Sequence, residues 1–118
     1  MKQVVVIDTE TTGFEAQTNS LVEIAGVHID GKWFSSLIKP TTKINFGAMA
    51  THHITEEMVE QAQDRDSVMT YYLPQTPEGY VFVAHNANFD KNFVLAEVAR
   101  AGNAPSKLPP GLRRDVEW

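Results

Sequence analysis

At 118 residues the chain fits one domain, 1–118, with no room for a second. Its 42% apolar and 21% charged residues are ordinary for a globular protein, and the absence of cysteine excludes disulfides, thiolate nucleophiles and thiolate metal sites. Net charge is −5: residues 1–90 carry 5 Lys/Arg against 12 Asp/Glu, and residues 91–118 carry 5 against 3. That balance is unlike a simple basic footprint for nucleic acid, but it suits carboxylates that meet phosphates through bound cations, and composition leaves both readings open. No run approaches the roughly 18 apolar residues of a membrane span, and the start MKQVVVID lacks the apolar core and cleavage site of a signal peptide. A cytoplasmic location and no membrane partner are expected.

In chain order, residues 3–8 (QVVVID) form a β-branched run that predicts a strand buried on both faces. Residues 21–29 (LVEIAGVHI) read as a second strand, and Asp30-Gly31 is a hairpin signal leading to a third at 33–38, ended by Pro40. Thr55-Glu56-Glu57 places a capping hydroxyl ahead of two acids in a helical first turn, and 66–73 predicts another helix before Pro74 and Pro77. Residues 80–84 (YVFVA) predict a fourth strand, apolar on both faces. Residues 89–101 predict a helix with Phe89, Phe93 and Ala96 on one face and Gly102 at its end. From Asn103 onward, Pro105, Pro109, Pro110 and Gly111 mark an extended loop. The order β-β-β-α-α-β-α predicts a mixed α/β sheet, a three-stranded meander with the fourth strand parallel to the first.

Two clusters carry chemistry. In Asp8-Thr9-Glu10-Thr11-Thr12-Gly13, alternation along a strand points Asp8 and Glu10 the same way. Two carboxylates on one face at a strand end are costly unless neutralised, and they suit hard divalent ions such as Mg²⁺ or Mn²⁺; a polar loop closing a strand is the alternative. Gly13 permits a positive φ, and the Thr11–Gly13 turn offers N–H groups to a sugar or phosphate. In the second cluster, His85-Asn86-Ala87-Asn88-Phe89-Asp90, Asp90 sits in a helical first turn, where an acid is favourable for dipole reasons alone. If the first and fourth strands run parallel, however, Asp90 joins Asp8 and Glu10, and three converging carboxylates suit a two-metal site that clamps a phosphodiester.

Together VVVIDTETTG, HID-G, A-x-x-x-HHIT-x-E-M and AHNANFDKNF resemble the DEDD exonucleases, and most closely the DEDDh branch that includes the proofreading epsilon subunit of bacterial DNA polymerase III. The resemblance covers nearly the whole chain and its motifs arrive in order. It implies an RNase H-like fold and a 3′–5′ exonuclease that acts on DNA, with RNA admissible, two Mg²⁺ or Mn²⁺ ions as cofactors, and a DNA polymerase as a candidate partner. By the same resemblance, Asp8, Glu10 and Asp90 are the catalytic metal ligands. Thr11, Thr12 and Gly13 line the 3′-terminal nucleotide, His52, His53 and Ile54 pack against its base or sugar, and Asn86 lies near the scissile region. Glu23 matches an acid with a structural role. The residues themselves allow plainer readings: His52 and His53 as surface residues before a helix cap, His28 as a packed or edge-strand histidine, and Trp33, Phe34, Tyr71 and Tyr72 as core or partly buried surface. Arg113 and Arg114 are weak candidates for phosphate contact.

The DEDDh pattern also needs a late histidine about five residues before a final aspartate, the histidine serving as general base. No histidine follows His85, and Asp115 lies in the Pro/Gly-rich tail without that motif around it. The expectation is therefore a domain incomplete at its C-terminus by several tens of residues, with weak or absent activity by itself. Two rivals follow: a non-catalytic nucleic-acid-binding or polymerase-associated module, and a chain that completes its sheet by homodimerising through an exposed edge.

Overall fold

The computed structural model describes residues 3–72 and 80–101. Four strands, β1 (Gln3–Thr11), β2 (Leu21–His28), β3 (Trp33–Leu37) and β4 (Tyr80–Val83), form one sheet in the order β3-β2-β1-β4. β1 pairs antiparallel with β2 and parallel with β4, and β2 pairs antiparallel with β3. This is the mixed meander-plus-parallel-strand sheet that the sequence predicts. The 29–32 connection closes with Gly31 at φ +91° and Asp30 accepting the Lys32 N–H at 3.0 Å, so the glycine stands where the turn needs a left-handed residue.

Helices α1 (Phe46–His52), α2 (Glu56–Glu60), α3 (Arg65–Tyr72) and α4 (Ala87–Ala101) complete the described residues. Thr55 caps α2 as predicted, its hydroxyl accepting the Met58 N–H at 3.3 Å. The sequence reading missed α1, which is short, contains Gly47 and Thr51, and has no side-chain cap. Burial of Ala48 holds it instead. The expected C-terminal loop, including Gly102, Arg113, Arg114 and Asp115, lies outside the described residues.

Alternation along β1 divides the core. Val5 and Ile7 face α3 and α4, packing with Leu21, Ile24, Phe82, Phe93 and Val94. α4 turns Asp90, Phe93, Val94 and Glu97 inward, an i, i+3, i+4, i+7 stripe rotated from the Phe89/Phe93/Ala96 face that the sequence suggested. On the opposite face of the sheet a second cluster, Val22, Ile44, Ala48, Ile54 and Val59, lies under α1 and α2. A register shift between Glu10 and Thr11 inserts Val22 into β2, so that consecutive residues Leu21 and Val22 enter different cores.

Two expectations are corrected here. β1 and β4 are not buried on both faces, and Trp33 is not core. The register lines up Trp33, Val27, Val6 and Val83 as one row across all four strands, exposed by 73, 50, 50 and 44%. α1 and α2 cover this face only at the Thr11–Val22 end, so among the described residues nothing lies over the row. The substitution Ile7→Ala is therefore expected to cost about 2–5 kcal/mol, whereas Val6→Thr on the next residue stays within about 0.5 kcal/mol, by denaturant unfolding. Equal losses at the two positions would show that the outer face is covered.

Candidate active site

β4 stops pairing at Val83 opposite Val6, whereas β1 continues to Thr11. Among the described residues the last five of β1 therefore have no paired strand on that side, and they contain DTET. This extends the strand past the predicted end at Asp8 and places both acids within it. Asp8 is exposed and Glu10 half-buried, on the face that also carries Val6, while Thr9 and Thr11 are buried on the other. Successive rows on the outer face run from the open apolar row, through Asp8 opposite Ala25, to Glu10 opposite Glu23, and end at the second core.

Asp90 enters from the first turn of α4, whose Asn86 carbonyl accepts the Phe89 and Asp90 N–H groups at 3.0 and 3.2 Å. It is buried, and Thr9, the residue between the two acids, donates its hydroxyl to Asp90 Oδ1 at 2.6 Å. That bond spans 81 residues and fixes the α4 carboxylate beside the end of β1. Burial raises the Glu10 carboxyl above the ordinary carboxylate range, and Asp8, Glu23 and Asp90 add to this while His52 opposes it. Burial likewise raises Asp90; the Thr9 hydrogen bond lowers it in part, and Asp8 raises it further. Asp8, Glu10 and Asp90 thus share one electrostatic neighbourhood. Among the described residues no three acidic or histidine side chains close tightly enough to form a finished metal cage.

The other expected contacts divide. Thr12 is fully enclosed: its hydroxyl meets Asn19 Oδ1 at 3.1 Å and Thr42 Oγ1 at 2.9 Å and accepts the Ser20 N–H at 3.0 Å, while its own N–H goes to the Ser20 carbonyl. Thr11 is buried and donates to the Gly13 carbonyl at 2.6 Å. Ile54 belongs to the second core. The side chains of Thr11, Thr12 and Ile54 are therefore internal, because each lies on the inward side of its segment. Gly13 does not use a positive φ either; a Cβ there would meet Asn19 Oδ1 at 2.5 Å and Asn45 Nδ2 at 2.6 Å, so the requirement is close approach.

His52 is held at both ring nitrogens. Nδ1 accepts the Ile54 N–H at 3.0 Å, which leaves Nε2 to donate to the Thr11 carbonyl at 2.9 Å. His53 is exposed at the α1 C-terminus with φ 61°, its N–H donating to the Met49 carbonyl at 2.7 Å. Asn86 is exposed before α4. His28 is half-buried, its ring 6.3 Å from that of Phe34, a packed histidine as expected. Sequence reasoning missed Thr9, which has no signal apart from the acids beside it, and the facing of Glu10 by Glu23, which only the register shows.

The raised carboxyls have a measurable consequence. Each contributes stability that is complete below its ordinary value (3.8 for Asp90, 4.5 for Glu10) and is lost as pH rises through the raised one. In metal-free buffer Asp90→Asn, which keeps an oxygen for Thr9, is expected to raise Tm at pH 7, with the gain vanishing near pH 3. An Asp90→Asn variant less stable than wild type at pH 7 would contradict the site's electrostatics.

An exonuclease family model, RNase_T, matches residues 5–114. A PolC-type DNA polymerase III of Thermotoga maritima is 37% identical over 94 residues, covering 76% of this chain and 7% of that protein. The DNA polymerase III epsilon subunit of Treponema pallidum is 36% identical over 102 residues, covering 83% of this chain and 47% of its own length. Among solved structures, exonuclease X in complex with 5′ overhanging duplex DNA superposes with a TM-score of 0.60 at 35% identity, over 76% of this chain and 52% of that one. The chain therefore spans about half or less of the length of these relatives. With the mixed RNase H-like sheet and DTETTG and FD at the expected strand and helix ends, this chain belongs to the RNase_T exonuclease family, on its DEDDh side.

Proposed function

We propose that this chain is a metal-dependent 3′–5′ exonuclease domain that removes nucleotides from the 3′ end of DNA. The observation that carries the reading is the free end of β1, where Asp8 and Glu10 emerge beside an Asp90 fixed by Thr9. Two of these three carboxylates are raised by burial and by their neighbours, the condition that a divalent cation relieves. The donors are all oxygen, which fits Mg²⁺ or Mn²⁺. Asp8, Glu10 and Asp90 would hold two such ions, which when bound supply the activation of water and the charge compensation at the leaving 3′-oxygen.

Around them, the exposed His53 and Asn86 and the close-packed backbone at Gly13 remain as groups to meet the terminal nucleotide. The enclosed Thr12 and the doubly bonded His52 shape the turn beneath it. RNA 3′ ends satisfy the same chemistry. A DNA polymerase partner is part of the proposal because the two relatives are polymerase III polypeptides, and a cytoplasmic location goes with it. A homodimer through an exposed sheet edge is the rival arrangement, and light scattering decides that point.

Mn²⁺-dependent shortening of 5′-labelled single-stranded DNA from its 3′ end is therefore expected, with Asp8→Ala weakening Mn²⁺ binding at least about tenfold by calorimetry. Nucleic-acid affinity that survives Asp8→Ala, with no Mn²⁺ binding in either protein, would instead favour the non-catalytic module.

A further inference from the structure

Glu97 is the most enclosed acid described, 1% exposed, on the inward stripe of α4 one turn beyond Phe93 and Val94. A buried carboxylate in that position needs partners, and it has three. Oε1 accepts the Leu21 N–H at 3.1 Å and faces Arg100 Nη1 at 3.1 Å, while Oε2 faces Arg65 Nη1 at 3.4 Å. Arg100 then reaches past Glu97 to two backbone carbonyls, Asn19 at 2.9 Å and Ala16 at 2.5 Å. Three of these contacts therefore fall on one stretch of main chain, residues 16–21, which enters β2 at the register shift.

That stretch closes the loop that begins at Gly13. Its base is sealed where Thr12 and Ser20 exchange hydrogen bonds, and Asn19 Oδ1 lies against Gly13 so closely that a Cβ there would collide. Its outer arm carries Phe14, 71% exposed and four residues past Glu10, and a cavity of about 360 Å³ opens between Phe14, Ala16 and the α4 residues Phe89 and Asn92. The loop has no apolar residue in either core cluster; only Ala16 packs against the first. Arg100 bridges it to α4 through the Asn19 and Ala16 carbonyls.

We infer that Glu97 and Arg100 are positioning residues: together they clamp the 13–20 loop to α4 and so fix where Gly13 and Phe14 stand relative to the carboxylates. The inference rests on the exonuclease reading of the site. A planar guanidinium is suited to the task because one fork spans two carbonyls and a carboxylate, which an ammonium cannot do in one plane. Arg65 supplies an internal control, since it neutralises the same carboxylate from α3 without touching the loop.

The experiment uses the full 118-residue chain with Arg100→Gln, Arg100→Lys and Arg65→Gln, and reads three quantities: Tm, amide exchange at residues 15–21, and the Mn²⁺-dependent affinity for a short 5′-fluorescein single-stranded oligonucleotide. Both glutamine variants should lose thermal stability. Only Arg100→Gln should speed exchange at 15–21 and weaken oligonucleotide binding, by about tenfold for the lost charge-assisted contacts, with Arg100→Lys recovering the Tm more fully than the affinity. Arg65→Gln should bind within about twofold of wild type. If wild type binds and the two glutamine variants weaken it equally, or neither does, the positioning role is overturned while the exonuclease reading stands. If wild type shows no Mn²⁺-dependent binding, the exonuclease reading falls, and the inference falls with it.

Discussion

The fold depends on an inequality of length between two parallel neighbours. β4 pairs with β1 through four residues and stops at Val83, while β1 runs on for five more. A strand that outlasts its partner leaves backbone and side chains open on one side. Here the open segment carries Asp8, Thr9 and Glu10, and Thr11 ends the pairing with β2 opposite Leu21. The crossover from β4 into α4 fills the vacated edge with the first turn of a helix, and so with Asp90. Nothing in that geometry requires the acids to be close in sequence; 81 residues separate Thr9 from the carboxylate it binds.

The same helix serves two opposing demands. Phe93 and Val94 bury against Val5 and Ile7, which supplies the apolar stabilisation of the pair. Asp90 and Glu97 lie on the same inward stripe, one at each side of those residues, and both would be costly if left unpaired. Glu97 is offset by two arginines and an amide. Asp90 receives the Thr9 hydroxyl and stands near two further acids, so it remains short of positive charge. The contrast separates a carboxylate satisfied by the fold from one that the fold leaves short of positive charge.

Much of this was legible in the sequence. The apolar runs at 3–8 and 80–84, Asp30-Gly31 and the Thr55 cap locate elements through local chemistry that tertiary context did not override. Period 2 along DTE is enough to place Asp8 and Glu10 on one face. The register was not legible: that Val6 faces solvent, that Glu10 faces Glu23, and that Val22 is the inserted residue all depend on pairings across the sheet. The inward direction of Thr12 and Ile54 was equally hidden, because a resemblance assigns positions to a site without saying which way each side chain turns. Glu97 gave no local signal either, since an acid among apolar residues on a helix reads as a surface position until its arginines are seen.

The central claim is that Asp8, Glu10 and Asp90 gather divalent cations at the open end of β1. Titrating Mn²⁺ into the ¹⁵N-labelled chain and following paramagnetic broadening residue by residue tests it most directly. The account predicts that amides of residues 8–10 and 87–91 broaden first and together. Broadening that begins instead around Glu56, Glu57 and Glu60 on α2, or that spreads evenly over the acidic surface, would contradict it.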